Sequence, residues 1–151
     1  KRNLDPTLPA SHTIDLQFKL PNDFANGSIA NVPGILFKPT EQAAGTALAG
    51  LSVRVMNNFF LIGLSSTPTE QAHNLEVMRQ NGWIDLPILY ENGRRAVLTI
   101  QKGDAGAKVF DQAITAWQRE AATAAAAGQP PAGATPGTPD PASGGSSTPA
   151  H

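Results

Sequence analysis

The fold is decided by residues 83–101, which read Trp83-Ile84-Asp85-Leu86-Pro87-Ile88-Leu89-Tyr90-Glu91-Asn92-Gly93-Arg94-Arg95-Ala96-Val97-Leu98-Thr99-Ile100-Gln101. Two runs rich in apolar and β-branched residues flank Asn92-Gly93. Asn and Gly both tolerate the positive φ that the two central positions of a type I′ turn require. The stretch therefore predicts a β-hairpin with a two-residue turn, which pairs roughly Ile88–Tyr90 with Arg95–Leu98.

Pro87 interrupts the first of these strands. Because proline has no N–H to donate to a sheet ladder, the strand is predicted to lie at a sheet edge or to carry a bulge. Edge strands can accept an added strand from another protein. Arg94 and Arg95 follow the turn, where two exposed arginines either hold an anion or only keep the surface soluble. Pro87, Arg94 and Arg95 are therefore candidate partner-binding residues.

Regular alternation predicts further strands upstream. From Thr13 to Leu20 the even positions are apolar and the odd positions are polar, as in a strand with one face in water. Residues 34–37 predict a short strand, and residues 51–64 predict a second hairpin that turns at Asn57-Asn58.

Phe59 and Phe60 are neighbours in this second hairpin, so their rings emerge on opposite faces of the strand. One ring is expected to enter the core. The other needs a cover, which a helix, the N-terminal residues or a partner protein would supply. Both residues therefore join the candidate partner-binding residues.

Two helices complete the pattern. Thr67 is a predicted N-cap, Pro68 the first helical residue and Glu70 the second half of a capping box. Asn81-Gly82 ends this helix. The second helix opens at Gly103 and carries an apolar face at helical spacing.

The pentapeptide Pro-Thr-Glu-Gln-Ala occurs twice, at 39–43 and at 68–72. It is either the trace of an internal duplication or a recurring helix-start sequence, and we favour the second interpretation. The Ala-rich residues 39–50 would then form a short helix.

Composition divides the chain. Six of the 13 prolines and five of the 14 glycines lie at positions 128–151, where Asp140 is the only charged residue. Such a segment cannot bury enough apolar surface to offset its chain entropy. The sequence therefore predicts an extended lead-in at 1–12, one α+β domain at 13–122 and a disordered tail at 123–151.

Charge and cysteine content exclude several classes of protein. The net charge is −1 and the charges are scattered, so the basic stripe that nucleic acid requires is missing. No run of 18 apolar residues predicts a transmembrane segment. Cysteine is absent, which rules out disulfides, thiolate metal sites and Cys nucleophiles. The chain begins at Lys1, so we expect a processed form or a fragment, with a signal peptide removed upstream.

The sequence carries no recognisable catalytic or metal-binding motif. His12, His73 and His151 share no spacing of three to five residues, so no metal pair is predicted. No Gly-x-Ser-x-Gly and no phosphate-binding loop occur. Asp85 lies between apolar neighbours and would be a pKa-shifted acid if it were buried, but a residue on the wet face of an edge strand is favoured. A hydrolase that uses Asp85 or Glu91 is therefore the least favoured function.

From Ser66 to Ile114 the pattern resembles the C-terminal half of the invasion-associated locus B family of small exported proteobacterial proteins. The resemblance rests on a capped helix, a basic-polar-Gly exit, a hairpin with an Asn-Gly turn and a Gly-led helix with an aromatic residue. These features are Thr67-Pro68-Thr69-Glu70, Arg79–Gly82, Asn92-Gly93, and Gly103 with Phe110 and Ala113. The resemblance implies an envelope protein without known catalysis.

We predict an α+β fold in which an antiparallel sheet of hairpins carries two main helices, in the order β-β-ββ-α-ββ-α. The predicted function is a non-catalytic periplasmic or envelope protein that binds another protein subunit, for example as the small subunit of a membrane-bound dehydrogenase. No cofactor, metal or nucleic acid is expected. The alternative is a small-molecule or lipid-binding module, whose ligand would lie between sheet and helices. The candidate partner-binding residues are Phe59, Phe60, Pro87, Arg94 and Arg95.

Overall fold

The computed structural model describes residues 1–128, which form eight β-strands and two α-helices. Antiparallel strands and two helices confirm the predicted α+β class. The elements are β1 His12–Gln17, β2 Ile29–Asn31, β3 Leu36–Lys38, β4 Thr46–Ala47, β5 Gly50–Met56, β6 Phe59–Leu64, α1 Pro68–Gln80, β7 Trp83–Tyr90, β8 Arg95–Gln101 and α2 Gly103–Gly128.

The strands divide between two sheets, which differs from a single sheet of hairpins. The first sheet has the order β1-β6-β5. In the second, β8 pairs with one side of β7, β2 and β3 share the other side, and β4 pairs with β3. Separate sheets let each hairpin bury one face in a common core, where Ile62 of β6 and Leu86 of β7 belong to the same cluster.

The core has two parts. The larger cluster joins the inner faces of both sheets to the helices through Leu75 of α1 and Ile114 of α2. The smaller cluster lies between the sheets around Ile29, Phe60 and Ile88. The helices therefore cover the larger cluster, whereas the smaller cluster is enclosed by the strands of the two sheets.

The predicted hairpin at residues 83–101 is present, and Leu89 pairs with Arg95. Its turn is not the predicted two-residue type I′ turn. Gly93 N–H donates to the Tyr90 carbonyl (3.0 Å), Tyr90 N–H donates to the Arg94 carbonyl (2.9 Å), and Gly93 has φ +83°. This is a three-residue loop with a glycine bulge, which needs positive φ only at Gly93. Asn92 instead accepts the Arg94 N–H on its side-chain oxygen (3.0 Å).

The prediction that the Pro87 strand lies at a sheet edge or carries a bulge is wrong, because β7 is paired on both sides and its register with β8 is unbroken. Tyr90 N–H donates to Arg94, so the N–H groups of even-numbered β7 residues point towards β8 and those of odd-numbered residues point away. The ring nitrogen of Pro87 therefore faces the break between Asn31 and Leu36, where β2 has ended and β3 has not begun. Proline is tolerated there because no ladder bond is required of it.

The start of α1 matches the prediction only in part. Thr67 is the N-cap and Pro68 the first helical residue, but the Thr67 side chain makes no capping hydrogen bond. Thr67 N–H donates to the Ser65 hydroxyl (3.2 Å), which takes the place predicted for Glu70. The capping box is therefore wrong, since a serine two residues upstream satisfies the same donor.

Two predicted boundaries also change. Residues 39–50 form a turn and the short strand β4 in place of a helix. Helix α2 continues to Gly128, so residues 123–128 belong to it and not to a tail. Alanine has the highest helix propensity, which explains why the Ala-rich run extends the helix. The remainder of the predicted tail, residues 129–151, lies outside the described residues.

Candidate binding surfaces

Strand β5 turns its apolar side to solvent. The side chains of Phe60 and Ile62 in β6 are buried, so they show which side of the first sheet faces the core. Ser52 lies opposite Ile62, so its half-buried side chain is on the inner side of the sheet. Arg54 lies opposite Phe60, but its side chain is exposed. The Ser52 hydroxyl is buried and has no hydrogen-bond partner among residues 1–128. The orientation of β5 is thus opposite to that expected of a half-buried strand.

The apolar side of β5 forms an exposed surface, which we call the outer patch. Leu51, Val53 and Met56 are 72%, 51% and 62% exposed. Val53 lies opposite Leu61 of β6, and Met56 lies opposite Phe59 after a register shift. Leu61 and Phe59 are half-buried, so the outer patch extends across two strands. The N-terminal lead-in reaches only one end of this face, where Ala10 approaches Gly63.

Phe59 and Phe60 separate as their neighbouring positions require. Phe60 is fully buried and packs edge-on against Phe18, with the ring centroids 6.2 Å apart. It cannot contact a partner, so its place among the candidate binding residues is wrong. Phe59 remains half-buried within the outer patch.

Pro87 and Arg95 line a shallow pocket on the outer face of the second sheet, at the break between β2 and β3. The pocket has a volume of about 580 Å³, and Pro33 and Val97 also line it. Arg94 is exposed but does not line the pocket. Of the five candidate residues, Phe59 therefore lies in the outer patch, and Pro87 and Arg95 line this pocket on the other sheet.

An apolar cleft opens between β1, the inner face of the second sheet and α2. Its volume is about 540 Å³, and residues that line it include Ile14, Leu16, Leu86, Ile100, Val109 and Trp117. Val109, on the predicted apolar face of α2, is 63% exposed at this cleft. The cleft lies between sheet and helix, where the alternative function expected a ligand, but the sequence did not single out its lining residues, because their apolar positions look like ordinary core positions.

The carboxylate of Asp85 is held in an ion pair. Lys38 Nζ lies 2.8 Å from one carboxylate oxygen, and the Thr99 hydroxyl donates to the other (2.7 Å). The Lys38 contact, with a smaller contribution from Thr99, lowers the Asp85 pKa. A carboxylate that stays charged and paired stabilises the sheet and is poorly suited to act as a general acid. Glu91 pairs with Arg54 (3.4 Å).

His12 is buried at the start of β1, where its ring lies 4.5 Å from that of Trp117. Neither ring nitrogen has a hydrogen-bond partner among the described residues. Burial, together with the nearby N-terminal ammonium and Arg2, lowers the pKa of the imidazole. His12 therefore packs as a neutral ring. Within residues 1–128, no group of three or more His, Cys, Asp or Glu side chains could hold a metal ion.

Asn74 of α1 is buried, and sequence reasoning did not single it out. Its side chain accepts the Ala49 N–H and donates to the Ala49 carbonyl, both at 2.8 Å. This pair of bonds fixes the chain just before β5 begins. Asn74 thereby helps to hold β5 in the orientation that exposes the outer patch.

Neither helix of the described part is long and apolar enough to cross a membrane. In comparisons with family models, with curated proteins and with solved structures, no match to this chain was found.

Proposed function

We propose that this protein is a non-catalytic binding subunit that docks onto another protein through the outer patch. The observation that carries the proposal is the inverted orientation of β5. The apolar side chains of Leu51, Val53 and Met56 face water, while the hydroxyl of Ser52 is buried on the inner side.

This orientation is unfavourable in an isolated domain. Each exposed apolar side chain forgoes the gain of burial, which is about 25 cal/mol per Å² of apolar surface. The buried Ser52 hydroxyl adds the cost of an unpaired polar group. A partner that covers Leu51, Val53 and Met56 would recover the first of these losses. Continuous apolar patches of this kind are typical of protein–protein contacts.

The proposed location is the periplasm or the cell envelope, where the partner would be a subunit of an envelope complex, such as a membrane-bound dehydrogenase. The low charged fraction of 15% and the resemblance of residues 66–114 to the invasion-associated locus B family support this proposal. Cell fractionation of the native source, with antibody detection, tests it. Recovery in the cytoplasmic fraction alone would contradict it.

The docking surface is tested by cross-linking in cells of the native source, with tagged wild type compared with Leu51→Asp. A charge within the contact is expected to remove the cross-linked partner, because an unpaired charge is costly to bury. Leu4→Asp is the matched control, since Leu4 is 83% exposed in the lead-in and is not one of the residues of the outer patch. Equal capture by both variants would show that the outer patch is not the docking surface.

The apolar cleft favours a second candidate, a small-molecule or lipid-binding module. Its volume of about 540 Å³ lies within the usual range for small-molecule sites. Titration with dodecanoate, followed by the fluorescence of Trp117 in a Trp83→Phe background, tests this candidate. Saturable quenching at micromolar ligand would support it, and an unchanged spectrum would exclude this ligand class.

A further inference from the structure

Strand β1 has a free edge directly above the apolar cleft. Phe18 N–H donates to the Asn58 carbonyl (2.8 Å), and β1 pairs with β6 on that side from His12 to Gln17. In an antiparallel ladder the backbone groups of successive residues point to alternate sides. The N–H and C=O groups of odd-numbered β1 residues therefore point away from β6.

The beginning of this edge already carries an added strand. Thr13 N–H donates to the Lys1 carbonyl, and the Lys1 amino group donates to the Thr13 carbonyl, both at 2.8 Å. Arg2 and His12 form an antiparallel bridge in the same ladder. Asp15 and Gln17 are the next odd-numbered positions, and no strand among residues 1–128 pairs with them on this side. The edge thus accepts an antiparallel strand, and within residues 1–128 it remains open from Asp15 to Gln17.

Side-chain direction connects the open edge to the cleft. Ile14 and Leu16 point inwards and line the cleft, while Asp15 and Gln17 are exposed on the outer side. Directly opposed residues in an antiparallel pair share a face. A strand beside β1 would therefore place every second side chain in the cleft, against residues such as Ile100.

We propose that the cleft binds an extended polypeptide segment with alternating apolar residues, which adds antiparallel to β1 beside Asp15 and Gln17. The bound segment prolongs the ladder that Lys1 and Arg2 begin. An acyl chain would fill the apolar volume but would leave the backbone groups of this edge unpaired. The site is distinct from the outer patch and does not depend on it.

The probe is the peptide acetyl-Thr-Val-Thr-Leu-Thr-Val-Thr-amide, added to the ¹⁵N-labelled full chain. Its apolar side chains are expected to enter the cleft, which directs the threonine N–H groups towards β1. Binding should shift the amide signals of Asp15 and Gln17 and slow their hydrogen exchange, because their N–H groups gain partners.

Methylated peptides test the register without changing the protein. N-methylation of the threonine directly after the leucine removes a donor that faces β1 and should weaken binding by about tenfold or more. N-methylation of the leucine removes a donor that faces away and should leave the affinity within about twofold. Equal affinities for the two peptides would overturn the proposal.

Two valine variants test the location. Val109→Asp places a charge in the cleft and should abolish peptide binding, whereas Val97→Asp should not. Val97 is a matched control because it is 58% exposed, close to the 63% of Val109, but lies on the outer face of β8. Loss of binding in both variants would indicate unspecific apolar adhesion and overturn the proposal.

A further competition separates peptide from lipid. If dodecanoate binds and the peptide leaves the exchange of Asp15 and Gln17 unchanged, the cleft is a lipid site and strand addition is wrong. Gln17→Pro removes one outward N–H and should weaken the peptide but not dodecanoate. Because the readout is at β1, failure here leaves the outer-patch proposal intact, and the Leu51→Asp result leaves this one intact.

Discussion

The hairpins β5–β6 and β7–β8 have the same topology, yet their edge strands meet solvent differently. In β5 the apolar residues Leu51 and Val53 face outwards. In β8 the residues Leu98 and Ile100 lie on the inner side, beside the core residue Leu86, although they remain 40% and 44% exposed. Alternation in the sequence shows which residues share a face of a strand. Which face is covered depends on the register with the neighbouring strand.

The turns of the two hairpins also differ, in the interactions that hold them. Gly93 and Asn58 both have positive φ, at +83° and +58°. Asn58 is anchored, because its side-chain oxygen accepts the Ile29 N–H (3.0 Å) and its carbonyl accepts the Phe18 N–H (2.8 Å). Gly93 has no neighbour within 4 Å of the place a Cβ would occupy. The turn at Asn58 is therefore held by tertiary contacts, whereas the turn at Gly93 depends on the conformational freedom of glycine.

The largest effect is expected inside the β5–β6 hairpin. Phe60→Ala should lower the free energy of unfolding by about 3–5 kcal/mol, because it leaves a cavity between the sheets. Phe59→Ala should cost about 1 kcal/mol, since its ring is only half-buried. Urea denaturation followed by circular dichroism measures both. Similar losses for the two variants would contradict the assignment of Phe59 to the outer patch.

The turn of the second hairpin gives the next largest effect. Gly93→Val should lower the free energy of unfolding by about 1–3 kcal/mol, because a β-branched residue resists φ near +83°. Gly82→Val is the control, since Gly82 has no positive φ and also has open space at its Cβ position. An unchanged melting curve for the Gly93 variant would show that the loop does not depend on glycine.

Low pH should destabilise the second sheet at its outer face, which carries an ion pair where the first sheet carries the outer patch. The pKa of Asp85 is lowered in the folded state, so the unfolded chain binds this proton more readily. The contribution of the pair is therefore present above about pH 4 and is lost as the pH falls through the folded pKa. Urea midpoints measured from pH 6 to pH 2 should fall less steeply for Asp85→Asn than for wild type. Parallel curves would contradict the role of the Lys38 pair.

The smallest effect is expected at the outer patch. Leu51→Thr and Val53→Thr should each change the free energy of unfolding by no more than about 0.5 kcal/mol, because both side chains are already exposed. Both should weaken capture of the partner in the cross-linking experiment. A stability loss well above this range would show that the patch is covered within the chain itself.

Much of the fold could be predicted from local signals. The alternation at Thr13–Leu20, the hairpin around Gly93, the Pro68 helix start and the Gly103 helix start all correspond to observed elements. The opposite fates of Phe59 and Phe60 also follow from strand geometry alone. These features depend on residues that are close in the chain, so the sequence contains the whole of their cause.

The candidate sites depended on contacts between distant residues and could be predicted only in part. Strand alternation predicted that one of Phe59 and Phe60 would leave the core, but the position of Phe59 in the outer patch and the extension of the patch along β5 require the register with β6. The cleft requires β1, β8 and α2 to meet. Pro87 sits in a central strand because β2 and β3 leave a break opposite it.

The pentapeptide Pro-Thr-Glu-Gln-Ala shows most directly how local preference and tertiary packing share control of the fold. At 68–72 it begins α1, as its proline and polar residues favour, whereas at 39–43 it forms a turn between β3 and β4. The local preference is identical in the two places, so it cannot account for the difference. Downstream of 68–72, Leu75 and Met78 recur at helical spacing and are buried in the core, while 39–43 is followed by Gly45, whose close approach to Leu36 fits the β3–β4 pairing. Local sequence indicates most of the turns, strands and helices. Tertiary packing decides which conformation an ambiguous segment adopts and which surfaces remain open, because burial depends on partners far along the chain.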